Sequence, residues 1–310
     1  MRRINISEIE NFKIGNAQNY KAMTGVTVIL CEKGGMAGVD ISGGGPASRE
    51  TPLLSPITAD NAINAVVLSG GSAFGLAASD GVMQWLEKLG IGYDTKYAIV
   101  PLVVQSCLFD LAIGKSDIRP DAQMGKDACE NAILNKPISG SVGAGTGATV
   151  GKIRGIEHSD KSGLGIYAVQ AGDLKIGAIV ALNALGDIYD FETGEKIAGT
   201  RNDDGSFGDS DELMYKIQTD TDLFHSNTTI ACIITNGDFT CAQMNKIASM
   251  ARCGFARTIN PVGTMADGDS IYAISCGEVK ADINAAGTAA AYALSAAIKE
   301  AIINSKITKF

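Results

Sequence analysis

Short apolar runs bounded by glycine or polar residues recur along the chain and predict buried β-strands. Most of these runs are rich in valine and isoleucine, which favour the extended backbone. They are residues 24–31 (TGVTVILC), 64–69 (NAVVLS), 174–182 (LKIGAIVAL), 230–235 (IACIIT) and 271–275 (IYAIS).

Three other segments have helical spacing. Residues 73–89 place Leu76, Met83, Leu86 and Leu89 where they could share one face, and residues 285–303 form an alanine-rich helix. In residues 240–257 the apolar positions are Met244, Ile247, Ala248, Ala251 and Phe255. The strands outnumber those of a simple βαβ alternation, so we predict an α/β layered sandwich with helices outside. No composition break marks a linker, and residues 1–310 are expected to form a single domain.

Residues 186–227 show little periodicity and many acidic side chains. We interpret them as a polar surface excursion that ends abruptly where a buried strand begins near Thr228. Such a long loop in a compact domain usually has a functional reason or is disordered. His225 lies in this segment and is expected to be solvated, with no catalytic role.

Charge and composition exclude several classes of function. The 310 residues include 26 basic and 34 acidic side chains, giving a net charge of −8 without a basic run. Binding to nucleic acid or to an anionic membrane surface is therefore not expected. The polar, charged start and the lack of an uncharged 18-residue apolar stretch predict a cytoplasmic protein without a signal peptide or membrane span.

Cysteine and histidine usage narrows the chemistry further. The seven cysteines include no CxxC pair, and only two histidines occur. A zinc site is disfavoured, and a Ser-His-Asp triad has few ways to be built. We expect no metal and no other cofactor, and a reaction that needs neither histidine nor cysteine.

Two glycine-rich segments resemble phosphate-binding loops but depart from the required spacing. Residues 143–152 (GAGTGATVGK) have Thr146 where the P-loop needs glycine, and Lys152 is followed by isoleucine. Residues 70–75 (GGSAFG) do not match G-x-G-x-x-G and predict a tight strand-to-helix turn. Nucleotide binding at either segment is therefore disfavoured.

A sharper combination is Asn227-Thr228-Thr229-Ile230 followed by Asp267-Gly268-Asp269. By residue type alone, the first is more simply the opening of a strand and the second a turn. The rest of the chain changes this interpretation. Seven blocks occur in order: TGVTVIL, GVDISGGGPASRET, NAVVLSGGSAFGLAASDGV, GAGTGATVGK, VALNALGDI, NTTIACIIT and DGDSIYAIS. Together they closely resemble the L-aminopeptidase/D-esterase and β-aminopeptidase family, which also contains endo-acting nylon-oligomer hydrolases.

The resemblance implies a self-cleaving amidohydrolase with an αββα sandwich, similar to N-terminal-nucleophile hydrolases but differently connected. The cut would fall between Asn227, which supplies the scissile carbonyl, and Thr228, which becomes the nucleophile. The products would be chains 1–227 and 228–310. The family also implies oligomers, commonly four copies of the cleaved pair. The alanine-rich last helix is compatible with such packing, although a partner within the chain explains it equally well.

The resemblance also implies the other site residues. The acidic pair falls on Asp267 and Asp269, the amide donor on Asn183, and the basic residue on Lys152. Aminopeptidase members have serine in place of the first acid, so Asp267 favours the nylon-hydrolase type. Some members use a tyrosine from a segment matching VPLVVQSCLFDL. Here the nearest aromatic residue is Phe109, which has no hydroxyl and which the resemblance implies as a substrate-binding residue.

Elementary chemistry agrees with these roles. A threonine hydroxyl needs a base to remove its proton, and a freed α-amine with an ordinary pKa of about 7.7–8.0 could serve. The carboxylates of Asp267 and Asp269 could orient this amine and the hydroxyl. Asn183 could donate to the oxyanion, and the positive charge of Lys152 would favour the unprotonated amine.

Two alternatives remain open at this point. One is an N-terminal aminopeptidase acting on β- or α-amino acid amides and esters, which differs in pocket shape from a hydrolase of peptides or oligoamides. The other is an uncleaved, non-catalytic protein that binds a small molecule on the same scaffold. Each residue also has an ordinary structural interpretation: Asn183 as a strand cap, Lys152 as a surface lysine and Asp269 as a turn residue.

Overall fold

The computed structural model describes residues 1–59, 62–217 and 227–305. The strands in these ranges are β1 (Arg2–Ile4), β2 (Lys13–Asn19), β3 (Thr24–Ile41), β4 (Ala47–Arg49), β5 (Ile63–Ser69), β6 (Tyr93–Asp94), β7 (Ile99–Val100), β8 (Val103–Cys107), β9 (Thr149–Val150), β10 (Asp160–Lys161), β11 (Leu164–Ala171), β12 (Leu174–Ala181), β13 (Asp187–Tyr189), β14 (Lys196–Ala198), β15 (Ile230–Gly237), β16 (Ile259–Asn260) and β17 (Ser270–Val279). The α-helices are α1 (Ala78–Lys88), α2 (Ala122–Ala132), α3 (Ser210–Tyr215), α4 (Cys241–Thr258) and α5 (Ile283–Ser305).

The long strand β3 belongs to two sheets. Its second half, Met36–Ile41, pairs with β17 in the first sheet, whose order is β1-β11-β12-β15-β17-β3. Its first half pairs with β2 and β5 in the second sheet, which continues through β8 to β4. The pairs β15–β17 and β5–β8 are parallel, whereas their neighbours run antiparallel.

Three hydrophobic cores separate four layers. Between the sheets, Val66 and Leu68 of β5 pack in one core with Ile179 of β12 and Tyr272 of β17. The alternate residues of β5, Ala65 and Val67, face α1 and α2, because successive side chains of a strand point to opposite faces. A third core lies between the first sheet and helices α4 and α5. This α-β-β-α arrangement confirms the predicted sandwich.

The prediction for the two C-terminal helices is confirmed. All five apolar positions predicted for α4 are buried, and Thr240 caps the helix by accepting a hydrogen bond from the Gln243 amide. The small residues of α5 permit close packing within the chain. A Cβ on Gly165 of β11, for example, would lie 1.8 Å from the Ala297 carbonyl oxygen.

The predicted helix at residues 73–89 is correct in place but wrong in its phase. Residues 72–77 form a 3₁₀ helix, and the α-helix begins only at Ala78. A 3₁₀ segment turns about 120° per residue rather than 100°, so spacing counted from Leu76 no longer applies. The buried face instead carries Ala78, Val82 and Leu86, while Leu89 is 55% exposed.

The expectation of an irregular excursion at residues 186–227 is also partly wrong. Strands β13 and β14 and helix α3 form within it, and β13 pairs with β16. The fully buried Asp187 organises this region by accepting hydrogen bonds from the Thr200 and Ser210 amides and from Lys196. Residues 218–226, which include His225, lie outside the described residues.

Across the described ranges, none of the helices combines the length and the apolar character needed to cross a membrane.

Candidate active site

The starts of two parallel strands bring Thr228 and the two aspartates together. Strand β15 follows Thr229, its neighbour β17 follows Asp269, and the Ser270 amide donates to the Thr229 carbonyl at 3.1 Å. The Asp269 carboxylate in turn accepts the Thr229 amide at 2.7 Å. Segments far apart in sequence therefore meet because both precede central strands.

Gly268 leaves room for the Thr228 hydroxyl. A Cβ at residue 268 would lie 2.7 Å from Oγ1 of Thr228 and 2.7 Å from the carbonyl oxygen of Gly45. The Gly45 amide also donates to the Asp267 carbonyl at 2.9 Å, so the glycine-rich turn after β3 packs directly on this segment. The hydroxyl thus lies over the glycine that separates the two carboxylates.

Both carboxylates are buried and held by one turn. Asp269 accepts the Gly263 amide at 3.1 Å, and Asp267 accepts the Thr264 amide at 3.0 Å and its hydroxyl at 2.7 Å. Burial, and then the neighbouring charge of Asp267, raise the pKa of Asp269 to about 8. Burial raises the pKa of Asp267 as well.

Asn183 joins Thr228 to Lys152. Its main-chain carbonyl accepts both the Thr228 amide at 2.8 Å and Nζ of Lys152 at 2.9 Å. Its side-chain Oδ1 accepts Lys152 at 2.9 Å and the Thr149 amide at 3.0 Å, while Nδ2 donates to the Phe109 carbonyl at 2.9 Å. These contacts orient the side-chain amide of Asn183 unambiguously.

Lys152 is a buried amine with only 4% of its surface exposed. Burial lowers its pKa to about 7, and the negative charges of Asp267 and Asp269 oppose that shift. A lysine in this state exchanges its proton near neutral pH.

The structure brings together the predicted residues Thr228, Asn183, Lys152, Asp267 and Asp269, all at most 5% exposed. Asn227 is also buried, and its Nδ2 donates to the Ala266 carbonyl at 3.3 Å. Phe109 reaches the cluster through its main-chain carbonyl, and its side chain is half-buried.

Sequence reasoning missed two polar residues beside the cluster. Thr264 holds Asp267, and nothing in its local sequence distinguishes it from a turn residue. Asp110 is 3% exposed and follows Phe109 directly. An acid ending the apolar run VPLVVQSCLF was the signal that could have drawn attention to it.

The arrangement can activate a hydroxyl without histidine. It places a threonine at the start of a strand, beside a lysine and carboxylates whose pKa values lie closer to neutral than usual. Such groups can take up and release protons near neutral pH, and burial strengthens their interactions. An amide side chain beside them can donate to developing negative charge.

Comparison with known proteins agrees with this chemistry. The model of peptidase family S58 matches residues 5–309. An uncharacterized aminopeptidase from Mycobacterium leprae is 36% identical over 273 residues, covering 84% of this chain and 73% of the relative. A 6-aminohexanoate-oligomer endohydrolase from Agromyces sp. is 31% identical over 274 residues, covering 86% of this chain and 73% of the relative.

Solved structures share the fold. The L-aminopeptidase D-Ala-esterase/amidase from Ochrobactrum anthropi, described as a variant of the Ntn hydrolase fold, superposes with a TM-score of 0.72 at 18% identity, covering 97% of this chain and 86% of the other. A β-aminopeptidase from Burkholderia sp. superposes with a TM-score of 0.65 at 19% identity, covering 96% and 84%. The extent of the family match, together with a cluster suited to hydroxyl attack on an amide, places this chain in peptidase family S58 as an amide-bond hydrolase.

Proposed function

We propose that the chain is an autoprocessing amidohydrolase that cuts itself between Asn227 and Thr228 and then works through the Thr228 hydroxyl. The observation that carries the proposal is the position of this hydroxyl at the start of a central strand, over Gly268, the glycine between the two buried aspartates in the sequence. The lysine and asparagine beside it supply the remaining groups.

Self-cleavage begins with attack of the Thr228 Oγ1 on the Asn227 carbonyl carbon. The amide nitrogen leaves with a proton as the new α-amine, and water opens the resulting ester to give the Asn227 carboxylate and the Thr228 hydroxyl. The backbone at Thr228 has φ = 158°, which side chains branched at Cβ rarely adopt, so cleavage also relieves an unfavourable conformation.

In the mature enzyme the α-amine of Thr228 takes the place of the former amide nitrogen. It lies beside Lys152, because both nitrogens bind the Asn183 carbonyl oxygen. When Lys152 is protonated, its charge favours the unprotonated amine, which can then take the hydroxyl proton. The Asn183 side chain, oriented by the Phe109 carbonyl, donates to the oxyanion, and loss of one such donor typically costs about 10²–10³ in rate.

For the substrate, we propose peptides or oligoamides of the nylon-oligomer type. The support is the Agromyces relative named as a 6-aminohexanoate-oligomer endohydrolase and the acid at position 267. The alternative is an N-terminal aminopeptidase on β- or α-amino acid amides, favoured by the name of the Mycobacterium leprae relative. N-acetylated and free oligoamides decide between them, because an aminopeptidase needs the free amine.

N-terminal sequencing and two Thr228 variants test the nucleophile. The small fragment of the wild-type protein should begin Thr-Thr-Ile-Ala. Thr228→Ala should abolish self-cleavage and hydrolysis, whereas Thr228→Ser retains a hydroxyl and should retain part of both. An intact chain after prolonged incubation, or turnover by Thr228→Ala, would overturn the proposal and favour an uncleaved binding protein.

We also propose that the cleaved pairs assemble as a tetramer and that the protein is cytoplasmic. The oligomer is proposed by analogy with the family, and the location by the sequence composition. Sedimentation equilibrium checks the first proposal, since a mass of 32.1 kDa, that of a single cleaved pair, would contradict it. Fractionation of the source cells checks the second.

A further inference from the structure

We propose that Asp110 is a positioning residue for amide hydrolysis: it anchors Phe109, whose carbonyl orients the Asn183 amide, and supplies a negative charge facing Lys152. This inference deepens the proposed function and rests on it. Asp110 is a buried acid that has no part in the roles proposed above for Thr228, Asp267 and Asp269.

The first support is how residues 108–110 are attached. The Leu108 amide donates to the Ser69 carbonyl at 2.8 Å, and the Ser72 amide donates to the Leu108 carbonyl at 2.9 Å. Oδ1 of Asp110 then accepts the Gly71 amide at 2.7 Å. Residues 108 and 110 are thus fixed to the turn after β5, and the intervening Phe109 carbonyl receives the Asn183 amide.

The second support is the space reserved for this carboxylate. A Cβ on Gly70 would lie 1.9 Å from Oδ2 of Asp110 and 2.4 Å from Oγ1 of Thr24. A Cβ on Gly147 would lie 2.9 Å from the Cβ of Asp110. The two glycine-rich segments that resemble phosphate-binding loops in sequence therefore leave room for the carboxylate of Asp110.

The third support is charge. Asp110 is faced by the ammonium groups of Lys152 and Lys161, the Cys107 thiol and the Thr24 hydroxyl, while Asp267 and Asp269 face Lys152. Burial raises the pKa of Asp110 to about 6, so its carboxylate remains ionised at neutral pH. Its charge opposes the lowering of the Lys152 pKa by burial and so favours the protonated form that donates to Asn183.

Asp110→Asn tests the role, because the amide has nearly the same shape and its oxygen can still accept the Gly71 amide. Without the charge, Lys152 should lose its proton at lower pH. We expect the alkaline limb of the kcat–pH profile to move down by about one unit. We also expect kcat near neutral pH to fall about tenfold with KM nearly unchanged, since one pH unit along a limb is a tenfold change.

The matched control is Asp187→Asn, which neutralises another buried carboxylate, one whose charge is paired with Lys196. It should lower stability without moving the limb. If Asp110→Asn does not fold, as judged by circular dichroism, Asp110→Ser provides a smaller uncharged acceptor with the same expected shift.

The assay follows hydrolysis of a 6-aminohexanoate oligomer, or of an amino acid anilide if the wild-type enzyme prefers it. Thr228→Ala is measured in parallel. An active Thr228→Ala variant would overturn the proposed function itself. An inactive Thr228→Ala variant together with an unshifted limb in Asp110→Asn would overturn only the role of Asp110.

Discussion

Two buried acidic sites in this protein are built in opposite ways. At Asp187, each carboxylate oxygen accepts two hydrogen bonds: Oδ1 from the Thr200 amide and the Ser210 hydroxyl, and Oδ2 from Lys196 and the Ser210 amide. This saturated carboxylate joins β13, β14 and α3. Because both oxygens are occupied by hydrogen bonds, this carboxylate has little chemistry left to perform.

At Asp267 and Asp269, two carboxylates instead lie close to each other and to one lysine. Burial and mutual repulsion raise the pKa of Asp269 to about 8, and burial lowers the pKa of Lys152 to about 7. The comparison teaches that burial alone does not mark a site. What distinguishes the second cluster is that the pKa values of Lys152 and Asp269 lie near neutral pH, so these groups can exchange protons there.

The largest functional difference between the two sites should appear in Asp269→Asn. We expect turnover to fall by about 10²–10⁴-fold, because a group that orients the nucleophile and its proton is lost. The fold should persist, since an asparagine oxygen can still accept the Thr229 amide. Steady-state kinetics with a circular dichroism control measures this, and unchanged kcat would remove Asp269 from the site.

Asp187→Asn should show the reverse pattern. It weakens the pairing with Lys196 and leaves one oxygen to serve four donors, and breaking a buried pair typically costs about 3–5 kcal/mol. Denaturant unfolding measures the loss. The kcat of the folded fraction should stay within about twofold of wild type. A large loss of kcat in fully folded Asp187→Asn would show that Asp187 also serves the reaction, and the two sites would no longer differ in role.

The pH dependence of stability sharpens the contrast. Because the folded pKa of Asp269 is raised to about 8, its contribution to stability is fully present below its unfolded pKa of about 4 and is lost as pH rises toward 8. Asp269→Asn should flatten this fall between pH 4 and 8. Urea midpoints across that range provide the measurement, and parallel curves for Asp269→Asn and wild type would contradict it.

The smallest effect is expected one residue from the nucleophile. Thr229→Ala keeps the amide that donates to Asp269, and in the described part of the chain the Thr229 hydroxyl makes no hydrogen bond. Only a buried methyl and this hydroxyl are lost, at about 0.5–1.5 kcal/mol, with activity nearly unchanged. If Thr229→Ala is inactive while Thr228→Ala still cleaves itself, the nucleophile is assigned one residue too early.

Local pattern predicted the helices and strands best where one face alone decides burial. Helix α4 is the clear case, because its apolar spacing survives unchanged from end to end. Strand β3 is the opposite case, since its apolar run predicted a strand only as far as residue 31. In the structure Gly34 adopts φ = 79°, the register shifts, and the strand continues into the other sheet. Only the tertiary pairing of both halves reveals that continuation.

Less of the candidate site than of the helices and strands could be predicted from the residues alone. Taken alone, Asn227-Thr228 and Asp267-Gly268-Asp269 indicated a strand opening and a turn, and both descriptions are also true of the structure. Their convergence depends on the parallel pairing of β15 with β17, which local sequence does not encode. Asp110 could not be predicted either, because its partners come from distant segments of the chain.

The interleaving of the central strands has a consequence for how the molecule would persist after cleavage. The order β12-β15-β17-β3 encloses β15 and β17 of the proposed small fragment between strands of the large one, and β16 of the small fragment pairs with β13 of the large one. Helices α4 and α5 of the small fragment also complete the core on that sheet. Separating the pieces would require opening three strand ladders and a hydrophobic core together. The nicked protein should therefore unfold as one cooperative unit, and either fragment made alone should lack a complete fold until its complement is supplied.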